Sequence, residues 1–189
     1  RELKTPGLVQ DFVSAMPVNF EPNGDTCHSV RTDMRLNTCH CIEGAFIAAC
    51  ALMLHSERAL LLDFQAEDDD DHVLTLFKRD GCWGAISKSN SIWLRWRDPV
   101  YRTVRELAMS YFHEYIRHDD KSLRRISRPF NIGAYRPDDW ITSDGDCWNM
   151  AAEIDGSPHV DLITAVQLRH LKKRDALELK AAKVKQFKR

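Results

Sequence analysis

The sequence predicts a single chain of mixed helix and antiparallel strand, on three observations. Residues 37–55 are apolar on nearly every helical face, as a central buried helix must be. Residues 60–87 then give a short apolar run and two more runs around an Arg79-Asp80-Gly81 turn, the pattern of a strand and a hairpin. Beyond position 98, helix-forming stretches dominate.

Residues 1–36 read as an N-terminal arm. The first 25 contain three Pro and two Gly, with one short helical piece around Leu8 to Ala15. Residues 37–97 form the core. Asn37 or Thr38 caps its helix, and Glu43 lies early in it, where an acid favours a helix start. Leu60 to Phe64 is a buried strand, and Glu67 to Asp71 is too acidic to be anything but a solvated loop. His72 to Phe77 and Cys82 to Ser87 are the two hairpin strands. Asp98-Pro99, an N-cap followed by Pro at the first helical position, opens a helix striped with Val104, Leu107, Ala108 and Tyr111. Helix breakers fill Arg128 to Pro137, and a further helix runs from about Thr142 to Ile154, so residues 98–164 read as a helical elaboration of the same domain. Residues 165–189 are a basic helix or tail.

Composition narrows the function classes. The chain has 189 residues, 43% hydrophobic and 29% charged, a globular mix of one-domain size. Its longest apolar stretch, Ala45 to Leu54, falls short of the roughly 18 residues a membrane span needs. A net charge of −1 argues against a whole-domain nucleic-acid binder. That average hides a tail of about +7 on a body of about −8, and the functional reading of the tail is docking to an acidic partner. Six cysteines without a secretory segment point to reduced thiols in the cytoplasm. Cys27-His28 and Cys39-His40-Cys41 hold zinc-type ligands, but a one-residue spacing chelates poorly, so neither a metal nor a cofactor is called for. Trp93, Arg95, Trp96 and Arg97 read as a strand or loop edge covering the core, Cys50 reads as core, and His113, His159 and His170 have no assigned partner.

The chemistry concentrates at Cys41 and His72. A thiol at a helix N-terminus feels the partial positive charge of unpaired N–H groups, which favours thiolate. A His in reach serves as general base and then general acid, and N–H groups of the same turn can hold an oxyanion.

In these residues the chain resembles the transglutaminase-like superfamily of papain-like thiol hydrolases, as a divergent member. Cys41 heads the helix, Ala45 takes the small-residue place one turn later, Ala59 survives from the turn that follows, His72-Val73 opens a strand, and Gly81-Cys82-Trp83 matches the glycine and tryptophan. The match covers about Asn37 to Asn90. It implies an α+β fold in which the Cys41 helix packs on the antiparallel sheet bearing His72. It also implies a Cys-His pair acting on a peptide or other amide, by hydrolysis or acyl transfer. The family's acidic residue falls at Ser87, with Asn90 three residues on. Ser87, Asn90 and a carboxylate elsewhere therefore stand as equal candidates to orient His72. The missing acid also leaves open a catalytically degenerate fold that serves as a binding module.

Overall fold

In the computed structural model, which describes residues 3–188, two short helices lead into the apolar one. These are α1 (Pro6–Ala15), α2 (Val30–Leu36) and α3 (Cys41–Leu54). The strands β1 (Leu60–Ala66), β2 (His72–Arg79) and β3 (Cys82–Ile86) follow. Asp80 and Gly81 both take positive φ in the β2–β3 turn, the conformation a two-residue hairpin requires and an Asp-Gly pair supplies. Residues 1, 2 and 189, the extremes of the expected arm and tail, lie outside the described residues.

Strand alternation sorts the core into two sides. Leu60, Leu62 and Phe64 of β1 pack with Leu74 and Leu76 of β2 in one cluster. Leu61 and Val73, of opposite parity, pack instead with Phe46 and Ala49 of α3. Burying each such side chain contributes about 1.5–3 kcal/mol, so a one-residue slip of register would expose a whole layer. The register is also pinned by a polar contact, since the Thr75 hydroxyl donates to the Ala45 carbonyl of α3 at 2.8 Å. The α3 helix therefore lies on the sheet whose strand β2 begins with His72. The architecture is α+β.

Downstream the sequence reading needs correction. Asp98-Pro99 does not open a helix but lies in β4 (Arg97–Tyr101), paired with β3 at the sheet edge. Proline is tolerated on an edge strand because its missing N–H faces no partner. The helix α4 (Val104–Phe112) starts later, where the Thr103 hydroxyl accepts from Glu106 N and the Glu106 carboxylate accepts from Thr103 N. That reciprocal capping box outcompetes the Asp-Pro signal. α4 packs Leu107, Ala108 and Tyr111 against the Leu60 side of the sheet.

Residues 98–164 are also not mainly helical. They supply the strand pair β5 (Ile116–Arg117) and β6 (Asp120–Lys121), then β7 (Leu123–Ser127) and β8 (Phe130–Asn131), which both pair with β1. A separate short helix α5 (Pro137–Trp140) comes first, and the expected Thr142–Ile154 helix is shortened to α6 (Trp148–Asp155). Strand β9 (His159–Asp161) closes the order β4-β3-β2-β1-β7-β9. His159 finds a partner after all: its Nε2 lies 3.0 Å from Asp63 of β1, both side chains buried. Strand β7 escaped notice because Arg124 and Arg125 occupy its middle. Their heads pair outward with Glu67 and Asp161 while Leu123 and Ile126 face the core.

The final stretch forms α7 (Ala165–Leu168) and α8 (Ala176–Ala182) and is attached to the body. Arg174 N donates to Asp119 O at 2.8 Å, and Lys185 bridges to Ser91. Among the described residues, no helix is long and apolar enough to cross a membrane.

Gly44 marks how closely α3 approaches the segment after β3. A Cβ built there falls 2.4 Å from Lys88 Cβ. Gly44→Ala is therefore expected to destabilise by about 1–3 kcal/mol, seen as a fall of roughly 3–10 °C in the thermal midpoint. An unchanged midpoint would mean that α3 and Lys88 do not meet as described.

Candidate active site

The start of α3 decides what Cys41 can do. Neither expected cap is used: Asn37 adopts a left-handed conformation that ends α2, and Thr38 donates its hydroxyl to Pro17 O at 3.2 Å. His40 is the N-cap instead, its main-chain N–H donating to the Glu43 carboxylate at 2.9 Å. Cys41 is thus the first helical residue, beside first-turn N–H groups that have no partner inside the helix.

Two imidazoles reach its sulfur. His40 Nδ1 lies 4.0 Å away, and His72 lines the same cleft, close enough for its ring to favour the thiolate. Burial opposes ionisation of Cys41, but the hydrogen bonds and positive charge from His40 and His72 outweigh it and bring the thiol down to about 5. Burial likewise works against a charged His40, yet its bonds to Cys41 and Glu43 raise it to about 11. Glu43 is buried too, which penalises its charge, but His40 and the main-chain donors His28 and His40 hold it near 2. At neutral pH the cluster is a thiolate, an imidazolium and a carboxylate in series.

His72 is held from the other side. Its Nε2 lies 2.6 Å from Ser87 Oγ, and Ser87 Oγ donates to Leu94 O at 2.7 Å. A hydroxyl has one proton, so Ser87 accepts from Nε2–H, and Nδ1 is the nitrogen left for the sulfur. Gln10 of α1 fixes Ser87 in turn, accepting from Ser87 N at 2.9 Å and donating to Ser87 O at 3.0 Å. Of the three candidate orienters, Ser87 is the one on the ring. Asn90 spends its amide elsewhere, on the main chain of Phe187.

A carboxylate is nonetheless present, on His40 rather than His72. Glu43 Oε1 lies 3.3 Å from His40 Nε2 and accepts from Thr26 Oγ1 and His28 N. Behind it, His28 Nδ1 lies 3.1 Å from Asp33 Oδ1. Burial and the neighbouring Glu43 push the Asp33 carboxyl up to about 9, so it is protonated at neutral pH. His28, Asp33 and Glu43 hold three donor atoms within 4.8 Å of one another, a spacing a metal ion could use. His28 Nδ1 faces both carboxyls, at 3.1 Å from Asp33 Oδ1 and 3.2 Å from Glu43 Oε1, while Asp33 Oδ2 is buried without a hydrogen-bond partner.

Two of the zinc-type cysteines in the sequence, Cys27 and Cys39, lie in separate parts of the core. Cys27 and Cys39 are buried, and burial pushes both thiols up, Cys39 to about 12. Cys41 is the thiol that opens on a cleft of about 270 Å³. The cleft carries Asp69, Asp70 and Asp71 together with Lys88 and Lys185. The acidic loop is pinned, Asp70 O accepting from Tyr115 OH and Asp69 from the Ser122 hydroxyl, each at 2.6 Å.

Sequence reasoning missed His40, Gln10 and Asp33 as parts of this site, and read Glu43 only as a helix-start acid. The available signal was His40-Cys41-Ile42-Glu43, in which an acid three residues after a polar residue marks a helix start between them. The chain matches no protein-family model and no curated protein sequence.

Two measurements follow. The rate of Cys41 alkylation by iodoacetamide should rise with pH through an inflection near 5. His40→Ala should move it up by a unit or more, each unit about 1.4 kcal/mol. An inflection left in place would remove His40 from the thiol's surroundings. Asp33→Asn tests the buried acid. With the folded carboxyl near 9 and the unfolded one near 3.8, the folded state holds the extra proton between them. Stability due to Asp33 therefore falls as pH rises across that window. Asp33→Asn should flatten the decline seen in urea melts between pH 5 and 9, and an unaltered slope would show that Asp33 is ionised when folded.

Proposed function

We propose that the chain is a thiol enzyme of the transglutaminase-like kind that acts on an amide carbonyl. The observation that supports this best is a single one: Cys41 at the first position of a buried helix, ionised near neutrality between two imidazoles. In the proposed reaction the Cys41 sulfur attacks the carbonyl carbon, and the oxygen gains its charge beside the free N–H groups of the α3 first turn. Collapse of that adduct breaks the C–N bond, and the leaving amine takes the proton that His72 Nδ1 received from the Cys41 thiol as it ionised. The acyl-thioester is then resolved by water or an amine, which returns a proton to His72 as the sulfur leaves. Ser87 holds the ring through Nε2, and His40 stays charged beside the thiolate.

The test is an acid-quenched incubation with fluorogenic peptide amides, followed by mass mapping. An acyl adduct on the Cys41 peptide, converted to a hydroxamate by hydroxylamine, is the expected result. Cys41→Ala should abolish it and His72→Ala should slow its formation. Ser87→Ala should slow turnover by less than the about 10⁴-fold that follows loss of a triad carboxylate. Absence of any adduct together with an ordinary thiol at Cys41 would favour the binding-module reading.

A further inference from the structure

Ala182 at the end of α8 and Lys185 in the segment after it form part of the wall of the Cys41 cleft. That segment is held almost wholly by its main chain. Lys185 pairs antiparallel with Ser91, and Gln186 N donates to Asn90 O at 3.1 Å. The Asn90 side chain then brackets Phe187, Nδ2 donating to Phe187 O at 3.0 Å and Oδ1 accepting from Phe187 N at 2.8 Å. Trp93 Nε1 donates to Ala181 O at 3.2 Å. The side chains contribute little: Val184, Lys185 and Gln186 are exposed, and the main side-chain contacts are Lys88 over the Phe187 ring and Arg95 on Gln186.

An edge that reads N–H and C=O groups while ignoring side chains is how proteins take up an extended peptide of variable sequence. A carboxamide is well suited to this, since one Asn offers the donor and the acceptor that a neighbouring strand would. Asn90 and residues 184–187 both lie far beyond the thiol along the chain. In space Asn90, Cys41, His72 and Lys185 line one cleft. The occupant is also weakly tied, because each hydrogen bond gained is offset by the ordering of an exposed backbone.

We propose that the Ser89–Ser91 edge is a docking rail for an extended peptide main chain, occupied here in cis by residues 184–187 as a displaceable strand. The incoming chain is a polypeptide with a basic side chain in the place of Lys185, because Asp69, Asp70 and Asp71 share that cleft. Binding at the rail does not depend on the thiol-enzyme reading. Its consequence, that an occupied rail slows access to Cys41, does rest on it.

The test uses a capped synthetic peptide with the sequence of residues 182–188. Gln186→Pro/Phe187→Pro removes two N–H donors of the cis strand and leaves the rail intact. This double variant should bind the peptide at least tenfold more tightly than the unaltered chain, and adding Asn90→Ala should remove the gain. Cys41 should alkylate several-fold faster in the double variant and slow again as peptide is added. Independently, the Gln186 and Phe187 amides of the unaltered chain should be protected from hydrogen exchange. Peptide binding that needs Asn90, with Cys41 unreactive throughout, upholds the rail and removes the thiol enzyme. Fast Cys41 alkylation in every variant, with no peptide binding or no amide protection, overturns the rail and leaves the thiol enzyme standing.

Discussion

The hydrogen bond from the His40 main-chain N–H to Glu43 fixes where α3 begins, and the cleft is arranged around that choice. Successive residues on a helix are rotated by about 100°, so a start one residue earlier or later would turn the Cys41 sulfur away from both imidazoles. The bond also draws a carboxylate fully into the interior. A buried charge without partners costs several kcal/mol, and Glu43 is tolerated because donors converge on it. Besides His40, these are Thr26 Oγ1, His28 N and the more distant Asn19 Nδ2. Residues 1–36 are therefore more than an arm. Through Gln10 and the Asn19-to-Asp33 stretch they hold Ser87 on one flank of the thiol and Glu43 on the other.

What was legible in the sequence was whatever lay close along the chain. Cys41, His72 and Ser87 fall within a run that also carries its own helix, turn and return strand. Periodicity and turn chemistry placed the helix and the hairpin, and the resemblance to the transglutaminase-like pattern singled out Ser87 beside them. The β2–β3 turn was readable because Asp-Gly has one conformation that suits a hairpin. The failures share a cause as well. β4 and β7 are an edge strand with a proline and a strand with two central arginines, and both look non-strand until their position in the sheet is known. His40 could be assigned only once the cap was located, and its neighbours Cys39 and Cys41 drew attention to metal chelation instead. The Asn90–Phe187 clamp joins residues 97 positions apart, a separation over which no local pattern carries information.

The distribution of charge around Cys41 bears on how the proposed reaction would run. A single His partner must both stabilise the thiolate and move protons, and a carboxylate behind it serves both ends. Here a second ring shares the first of these tasks. His40 adds a stabilising charge to that of His72, is backed by Glu43, and has its Nε2 committed to Thr26 O at 2.9 Å. His72 is oriented by a hydroxyl that supplies direction without charge, and its Nδ1 remains available to an incoming or leaving group. An acid at position 87 is then not needed for the thiolate, since the helix cap supplies electrostatic support. A carboxylate at Ser87 would instead face the Leu94 carbonyl that the serine hydroxyl now satisfies, setting an acceptor against an acceptor in a buried place. Within this fold the hydroxyl is the group that position 87 can accommodate, and the acid belongs where the sequence puts it, two residues past the thiol.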